Sequence, residues 1–312
     1  MKAIHLHGRG GPDHLFYEEA PQPQPEPGEV LVRVAATSVI ANELTWDITY
    51  QTAAGVSRPL PVPGHDFAGV VAAVGVGVTH PTVGDAVYAL IAFGRDGAEA
   101  EYVIAYPSEL APQPRTLDTV HAAAVPLAAL TAWQALFIHA GLTAEQTVLI
   151  HGAAGGVGTY AVQFARWAGA RVIATASARD GDFLRDLGVD LVIDYASTRF
   201  ENTVQNVDVV LDMVGGNTLA RSWQVVKPEG VVVSVVSPRP TEPASTNGAR
   251  FVWFIVAPNG EQLREIGALL ESGQVRPVVE QVFPLAEAHQ AFLDAATGHP
   301  RGKIVLRVQG ET

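Results

Sequence analysis

The sequence predicts an α/β protein in which a doubly wound parallel sheet is joined to a smaller unit of short β-strands. Three observations carry this. Residues 148–236 alternate short apolar runs with stretches of helical period, the pattern of a parallel sheet with right-handed crossovers. Residues 29–105 hold several strand-like runs separated by glycine and proline, the texture of a small barrel or compact all-β unit. Within the first region, Val148-Leu-Ile-His-Gly-Ala-Ala-Gly-Gly-Val-Gly158 joins an apolar run to a small-residue turn, and residues 159–168 then take up a helical period.

Bulk composition agrees. The chain has 312 residues, enough for two domains, and its 48% hydrophobic and 17% charged content calls for buried cores, not disorder. A net charge of −12 argues against nonspecific nucleic-acid binding, which needs lysine and arginine density. Cysteine is absent, which excludes disulfides, thiolate catalysis and cysteine-based zinc sites. Met1-Lys-Ala-Ile-His-Leu-His-Gly8 has too few apolar residues for a signal peptide and reads as a first strand. The most apolar stretch, 122–142, contains Pro126, Gln134 and His139 and reads as a buried helical region, not a membrane span. A cytoplasmic protein with no membrane partner is expected.

In order, residues 1–20 read as strand, turn and strand, and Pro21-Gln-Pro-Gln-Pro-Glu-Pro27 as a stiff connector. Residues 29–36 alternate with period two, predicting a half-buried strand, and 64–75, 83–90 and 99–105 add further strands. The texture changes near Asp118. Residues 122–137 are helical, with Pro126 marking a break or a new start. Strands at 148–151, 171–175, 191–194, 207–211, 230–236 and 251–256 then alternate with helices at 156–167, 179–187 and 218–226. The tail, helical at 262–270 and 285–296 with a strand at 303–308, returns to the first unit. The expected domains are therefore 1–119 and 120–257, with 258–312 rejoining the first.

The turn before residue 158 carries chemistry. Gly155 and Gly156 lack a Cβ, so the chain can turn sharply and approach a pyrophosphate, and Gly158 lets the helix pack tightly on the strand. N–H groups of the first helical turn face the anion. Ala154, Gly155, Gly156 and Val157 are thus candidates for binding a dinucleotide. The end of the next strand chooses between nicotinamide cofactors. Sites for the unphosphorylated form place Asp or Glu there, and Thr175-Ala-Ser-Ala-Arg179 has neither. Ala176 is neutral, Ser177 offers a hydroxyl and Arg179 pairs with phosphate, so NADPH is expected. Asp180, next in sequence, competes for Arg179.

With these residues in hand, nearly the whole chain resembles the zinc-free quinone oxidoreductase (zeta-crystallin-like) family of the medium-chain dehydrogenase/reductase superfamily. The resemblance rests on Pro63-Gly-His-Asp-Phe-Ala-Gly69, Val83-Gly-Asp-Ala-Val87, Ala153-Ala-Gly-Gly-Val-Gly158 and Gly302-Lys-Ile-Val-Leu306. It implies a Rossmann domain plus a GroES-like β-barrel catalytic domain. The places of the Cys, His and Cys zinc ligands in metal-dependent relatives match Ile40, His65 and Leu127, so no metal is expected and His65 reads as a packed histidine. Relatives commonly carry Asn at the place of Ile40, whereas here Asn42 comes two residues later. The resemblance also implies that Thr131 faces the nicotinamide or its ribose and that Tyr195 lies near the adenosine phosphate. Val214, Val235 and Val236 would border the cleft, and Lys303 would contact the cofactor.

Without a Lewis acid, alcohol oxidation lacks its usual stabilisation of an alkoxide. Hydride delivery to a quinone or α,β-unsaturated carbonyl needs mainly positioning, because the acceptor itself delocalises the incoming charge. Trp46, Phe93 and Trp253 are candidate pocket walls, Tyr50 is the candidate proton donor and Asn42 a candidate for the substrate carbonyl. Loops 42–57 and 238–250 would shape the pocket. An enoyl-thioester reductase and a non-enzymatic NADPH-binding sensor or structural protein are the open alternatives. The family resemblance further implies a homodimer formed edge to edge along residues 251–256.

Overall fold

The computed structural model describes residues 1–52, 54–236 and 248–308, so most of the loop expected at 238–250 lies outside the described residues. The chain forms two compact units. One contains Met1–Leu130, Ala257–Gly273 and Pro277–Thr312, the other Thr131–Val256 and Gln274–Arg276.

In the first unit, β1 (Lys2–Leu6) and β2 (Leu15–Glu19) form an antiparallel ribbon. After them come β3 (Val30–Ser38), the single-turn α1 (Asp47–Tyr50), β4 (Asp66–Val74), β5 (Ala86–Leu90), β6 (Tyr102–Ala105) and β7 (Leu110–Pro112). Helices α2 (Thr119–Ala123) and α3 (Pro126–Trp133) follow, and Pro126 is the first residue of a new helix, where its missing N–H costs no bond. Asp118 caps α2 by accepting from the His121 N–H at 2.8 Å.

The second unit holds β8 (Thr147–His151), α4 (Gly156–Trp167), β9 (Arg171–Ala176), α5 (Gly181–Leu187) and β10 (Leu191–Asp194). It continues through β11 (Val207–Asp212), α6 (Gly216–Ser222), β12 (Val226–Ser234) and β13 (Arg250–Trp253). The chain then returns to the first unit with α7 (Gly260–Glu271), β14 (Val279–Pro284), α8 (Ala288–Thr297) and β15 (Lys303–Arg307).

Sheet order in the first unit is β14-β15-β3-β4-β5-β7, with β6 also on β3. β3 is not the half-buried strand that period-two alternation suggests. It pairs with β4, β6 and β15, and its side chains from Val30 to Ser38 are buried except Arg33 and Ala35. Val30, Val32 and Val34 join Phe67, Val71, Val87 and Val103 in one core cluster. A second cluster gathers Ile4, Leu6, Leu15, Phe292, Ile304 and Leu306, which seats α8. Burying each such aliphatic side chain stabilises the fold by about 1.5–3 kcal/mol.

In the second unit all six strands are parallel, in the order β10-β9-β8-β11-β12-β13. Strand order reverses between β8 and β11, the place where open parallel sheets bind ligands at the carboxyl ends of their strands. The units part at 130/131 where the sequence suggested 119/120, because α2 packs on β3, β4 and β15. Residues 274–276 go with the second unit for a polar reason. Gln163 Nε2 donates to the Arg276 carbonyl at 3.0 Å and Gln163 Oε1 accepts from the Arg276 N–H at 2.9 Å. β7 and β14 lack a sequence signal of their own, since both are short and contain or end in proline.

Candidate active site

The turn after β8 is made by Gly152, outside the pair that sequence selects for it, while Gly158 packs closely as the sequence predicts. Gly152 has φ +78°, a left-handed conformation, and makes the sharp turn. Gly158 allows close approach: a Cβ there would lie 2.3 Å from the Gly152 carbonyl oxygen and 2.6 Å from Ala153. Gly155 has an ordinary φ of −75°. A Cβ on Gly155 would meet only the Gly152 oxygen, at 3.5 Å. The protein therefore leaves space in front of Gly155. α4 begins there with no side-chain cap, so its first N–H groups have no capping partner from Gly155. Ala154, Gly155, Gly156 and Val157 are all half-buried, at the start of α4.

Two neighbouring strand ends complete this edge. Asp212, fully buried at the end of β11, accepts from the Val214 and Gly215 N–H groups at 3.1 and 2.9 Å through Oδ1. Its Oδ2 accepts from Ser234 Oγ at 2.8 Å. The turn so fixed exposes Val214 (55%), with Val235 half-buried and Val236 exposed after β12. At the end of β9, Ser177 Oγ donates to Asp180 Oδ2 at 2.5 Å, and Arg179 Nε lies 3.3 Å from Asp180 Oδ1. Tyr195 is exposed, its N–H bonded to the Ala176 carbonyl at 3.2 Å, so it sits beside this strand end. Thr131 is buried on α3. Trp253 is 41% exposed at the end of β13, the outermost strand of this sheet.

His151, which sequence reading passed over, ties this edge together. Its Nδ1 is 2.9 Å from Thr175 Oγ1 and its Nε2 3.1 Å from Ser222 Oγ. Ser222 Oγ donates to the Thr218 carbonyl at 2.8 Å, so Ser222 accepts from His151 Nε2–H and Thr175 donates to Nδ1. Burial, reinforced by the charge of Arg221, lowers the imidazole from its ordinary 6.5 to about 3.

In the first unit, Trp46 and Phe93 meet edge to face at 5.4 Å, and Phe93 lies 5.0 Å from the His65 ring. The two predicted walls are thus brought together, whereas Trp253 belongs to the other unit. Asn42 is exposed and its side chain does not cap the turn it begins. Tyr50 is corrected from proton donor to packing residue. It is 8% exposed, its hydroxyl donates to the Leu44 carbonyl at 2.8 Å, and Arg9 lies over its ring. Burial raises its pKa, further opposing ionisation. Lys303 is buried as well. Its Nζ donates to the Val39 carbonyl at 2.9 Å inside the first unit, where burial lowers its pKa against the pull of Asp66.

Around these lies a buried ionisable group that no motif announced. Glu43, His65, Asp66 and Glu99 are all 1% exposed or less. His65 Nδ1 lies 2.7 Å from Glu43 Oε1, off the line of a hydrogen bond, and its Nε2 is 3.3 Å from the Arg95 carbonyl. The Glu43 carboxylate also accepts from the Gly64 N–H at 3.0 and 3.1 Å. Asp66 accepts from Ser38 Oγ at 2.7 Å, and burial raises its pKa while Lys303 opposes the rise. Both carboxyl oxygens of Glu99 are buried without a hydrogen bond, and burial pushes its pKa well above the carboxylate range.

Comparison with known proteins places this architecture. The pattern of the zinc-binding dehydrogenase family matches residues 187–306, and that of the alcohol dehydrogenase GroES-like domain matches 26–115. The chain is 37% identical to a probable zinc-binding oxidoreductase, mitochondrial, of Arthroderma benhamiae, over 94% of this chain and 93% of that one. It is 34% identical to an NADPH-dependent alkenal/one oxidoreductase, chloroplastic, of Arabidopsis thaliana, covering 98% and 79% of the two chains. Among solved structures it superposes on the quinone oxidoreductase from Coxiella burnetii with a TM-score of 0.90, at 32% identity and 99% coverage of both chains. The chain belongs to the quinone oxidoreductase family of the medium-chain dehydrogenase/reductases, oxidoreductases that use a nicotinamide cofactor. The zinc in some of these descriptions does not fit this donor set. Ile40 and Leu127 offer no ligand, and one imidazole cannot make a three-ligand catalytic zinc site.

Proposed function

We propose that this chain is an NADPH-dependent, zinc-independent oxidoreductase that delivers hydride to a quinone or an α,β-unsaturated carbonyl. The observation that carries the reading is the open Gly155 before the uncapped start of α4, set where strand order reverses. When bound, the nicotinamide supplies a hydride. The chain's own residues do the rest. N–H groups of 156–158 hold the pyrophosphate, Ser177, Arg179 and Tyr195 hold the adenosine ribose and its phosphate, and Asp212 orients Val214 at the border of the cleft. Thr131, Val235 and Val236 are assigned to the nicotinamide half. In the first unit Trp46 and Phe93 offer flat apolar walls to a planar acceptor, and the Asn42 amide donates to its carbonyl oxygen. Water supplies the proton, because the conjugated acceptor spreads the charge that arrives with hydride.

The decisive experiment is an NADPH-oxidation screen across quinones, enones and enoyl thioesters, preceded by calorimetric titration with NADPH. Quinones or enones are expected as the best acceptors, with activity unchanged after dialysis against EDTA. Absence of NADPH binding sinks the proposal. Much faster saturation of a crotonyl thioester reassigns the enzyme to enoyl-thioester reduction, and tight binding with background turnover throughout makes it a sensor. Among the described residues no helix is long and apolar enough to cross a membrane. Relatives are named for mitochondria or chloroplasts, so the cytoplasmic placement is proposed from the sequence and tested by cell fractionation.

A further inference from the structure

Ser177 and Arg179, the two groups assigned to the adenosine ribose and its phosphate, are held by a single carboxylate. Asp180 is 5% exposed. It accepts from Ser177 Oγ at 2.5 Å and lies 3.3 Å from Arg179 Nε. Its backbone N–H donates to the Ser177 carbonyl at 3.0 Å, which closes the turn and fixes the three residues together. Arg179 itself is 52% exposed, so the pair stands at the rim of the unit with its anion inside.

Two chemical consequences follow. A serine hydroxyl has one proton, and here it is given to Asp180, so toward a ligand Ser177 presents only lone pairs. An acceptor at the end of β9 suits the ribose 2′-hydroxyl of NADH, which has a proton to give, and has nothing to donate to a 2′-phosphate. In sites for the unphosphorylated cofactor an Asp or Glu takes that hydroxyl directly. Here the carboxylate is one side chain further back and acts through Ser177. The second consequence is electrostatic. A carboxylate beside the guanidinium cancels part of the positive charge that draws in the phosphate of NADPH.

We propose that Asp180 is the specificity-determining residue that opens this site to both cofactors, NADH through Ser177 and NADPH through Arg179. The inference rests on reading 177–179 as the site of the adenosine ribose. It explains why a strand end with no carboxylate of its own retains one behind the serine, and it makes the NADPH preference narrow instead of absolute.

The test is fluorescence titration of wild type, Asp180→Asn, Ser177→Ala and Arg179→Gln with NADPH and NADH. Wild type should favour NADPH by about tenfold or less, the range of one partly screened charge contact. Asp180→Asn keeps an oxygen facing Ser177 and removes the charge. It should tighten NADPH about fivefold, as expected for one unit charge removed near a phosphate at a half-exposed site. Ser177→Ala should weaken NADH severalfold more than it weakens NADPH. An unchanged or lowered preference for NADPH in Asp180→Asn overturns the proposal, as does an equal loss of both cofactors in Ser177→Ala. The underlying reading fails differently: in that case Arg179→Gln leaves NADPH affinity untouched.

Discussion

Gly155 and Gly158 stand three residues apart and answer to different partners. A methyl group on Gly158 would press on the backbone of residues 152 and 153, which has no room to give. Gly158→Ala should therefore destabilise the fold by roughly 1–3 kcal/mol, the usual cost of overpacking. On Gly155 the same methyl group meets one oxygen at an ordinary 3.5 Å and points otherwise into the space before α4. Gly155→Ala should leave the thermal midpoint within about 2 °C of wild type while weakening NADPH about tenfold by calorimetry, a loss near 1.4 kcal/mol. Unchanged affinity would show that no ligand approaches there. His151 supplies a second residue-scale expectation. The unfolded chain takes up a proton near pH 6.5 that the folded chain refuses until about pH 3. Stability is therefore complete above about pH 6.5 and falls as pH drops through that window, by about 1.4 kcal/mol per unit. Urea midpoints at pH 7.5 and 5.5 check this. His151→Gln should lose this part of the acid sensitivity, and an identical pH slope in both proteins would move its origin elsewhere.

At the scale of elements, the late hydrophobic strand is the informative case. Residues 251–256 read equally as a buried central strand or an exposed edge, because apolar content alone does not distinguish them. The structure places β13 (Arg250–Trp253) at the end of the six-stranded sheet, paired among the described residues with β12. Among the described residues no strand covers its other edge, and Trp253 and Ile255 are both exposed. Pairing with a second copy along this edge would cover them. Light scattering at micromolar concentration should give a mass near twice the 32.9 kDa chain. Hydrogen exchange at Arg250–Trp253 should quicken on dilution below the dissociation constant. A monomer with exchange independent of concentration contradicts the dimer. β3 teaches the converse lesson: its alternating letters suggested one solvated face, yet pairing with three strands buried nearly all of it.

Over the whole molecule, the sequence by itself determined the fold class, the alternation of the second unit and the glycine-rich turn. Each is written in local periodicity and in residue types whose conformational limits are intrinsic. It also determined that no cysteine-based zinc site exists, since that depends only on which donors the chain contains. Tertiary structure decided which glycine turns the chain and which one leaves space before α4, because only packing shows what a Cβ would meet. It engaged the Tyr50 hydroxyl with the Leu44 carbonyl and the Lys303 ammonium with the Val39 carbonyl. It also gathered Glu43, the adjacent His65 and Asp66, and Glu99, three places well apart in the sequence, into one buried cluster. No window of sequence records that convergence, because the strands that produce it pair across long separations. The same holds for Asp180. In sequence it is a neighbour that competes for Arg179, and its hold on Ser177 appears once the turn at 177–180 closes.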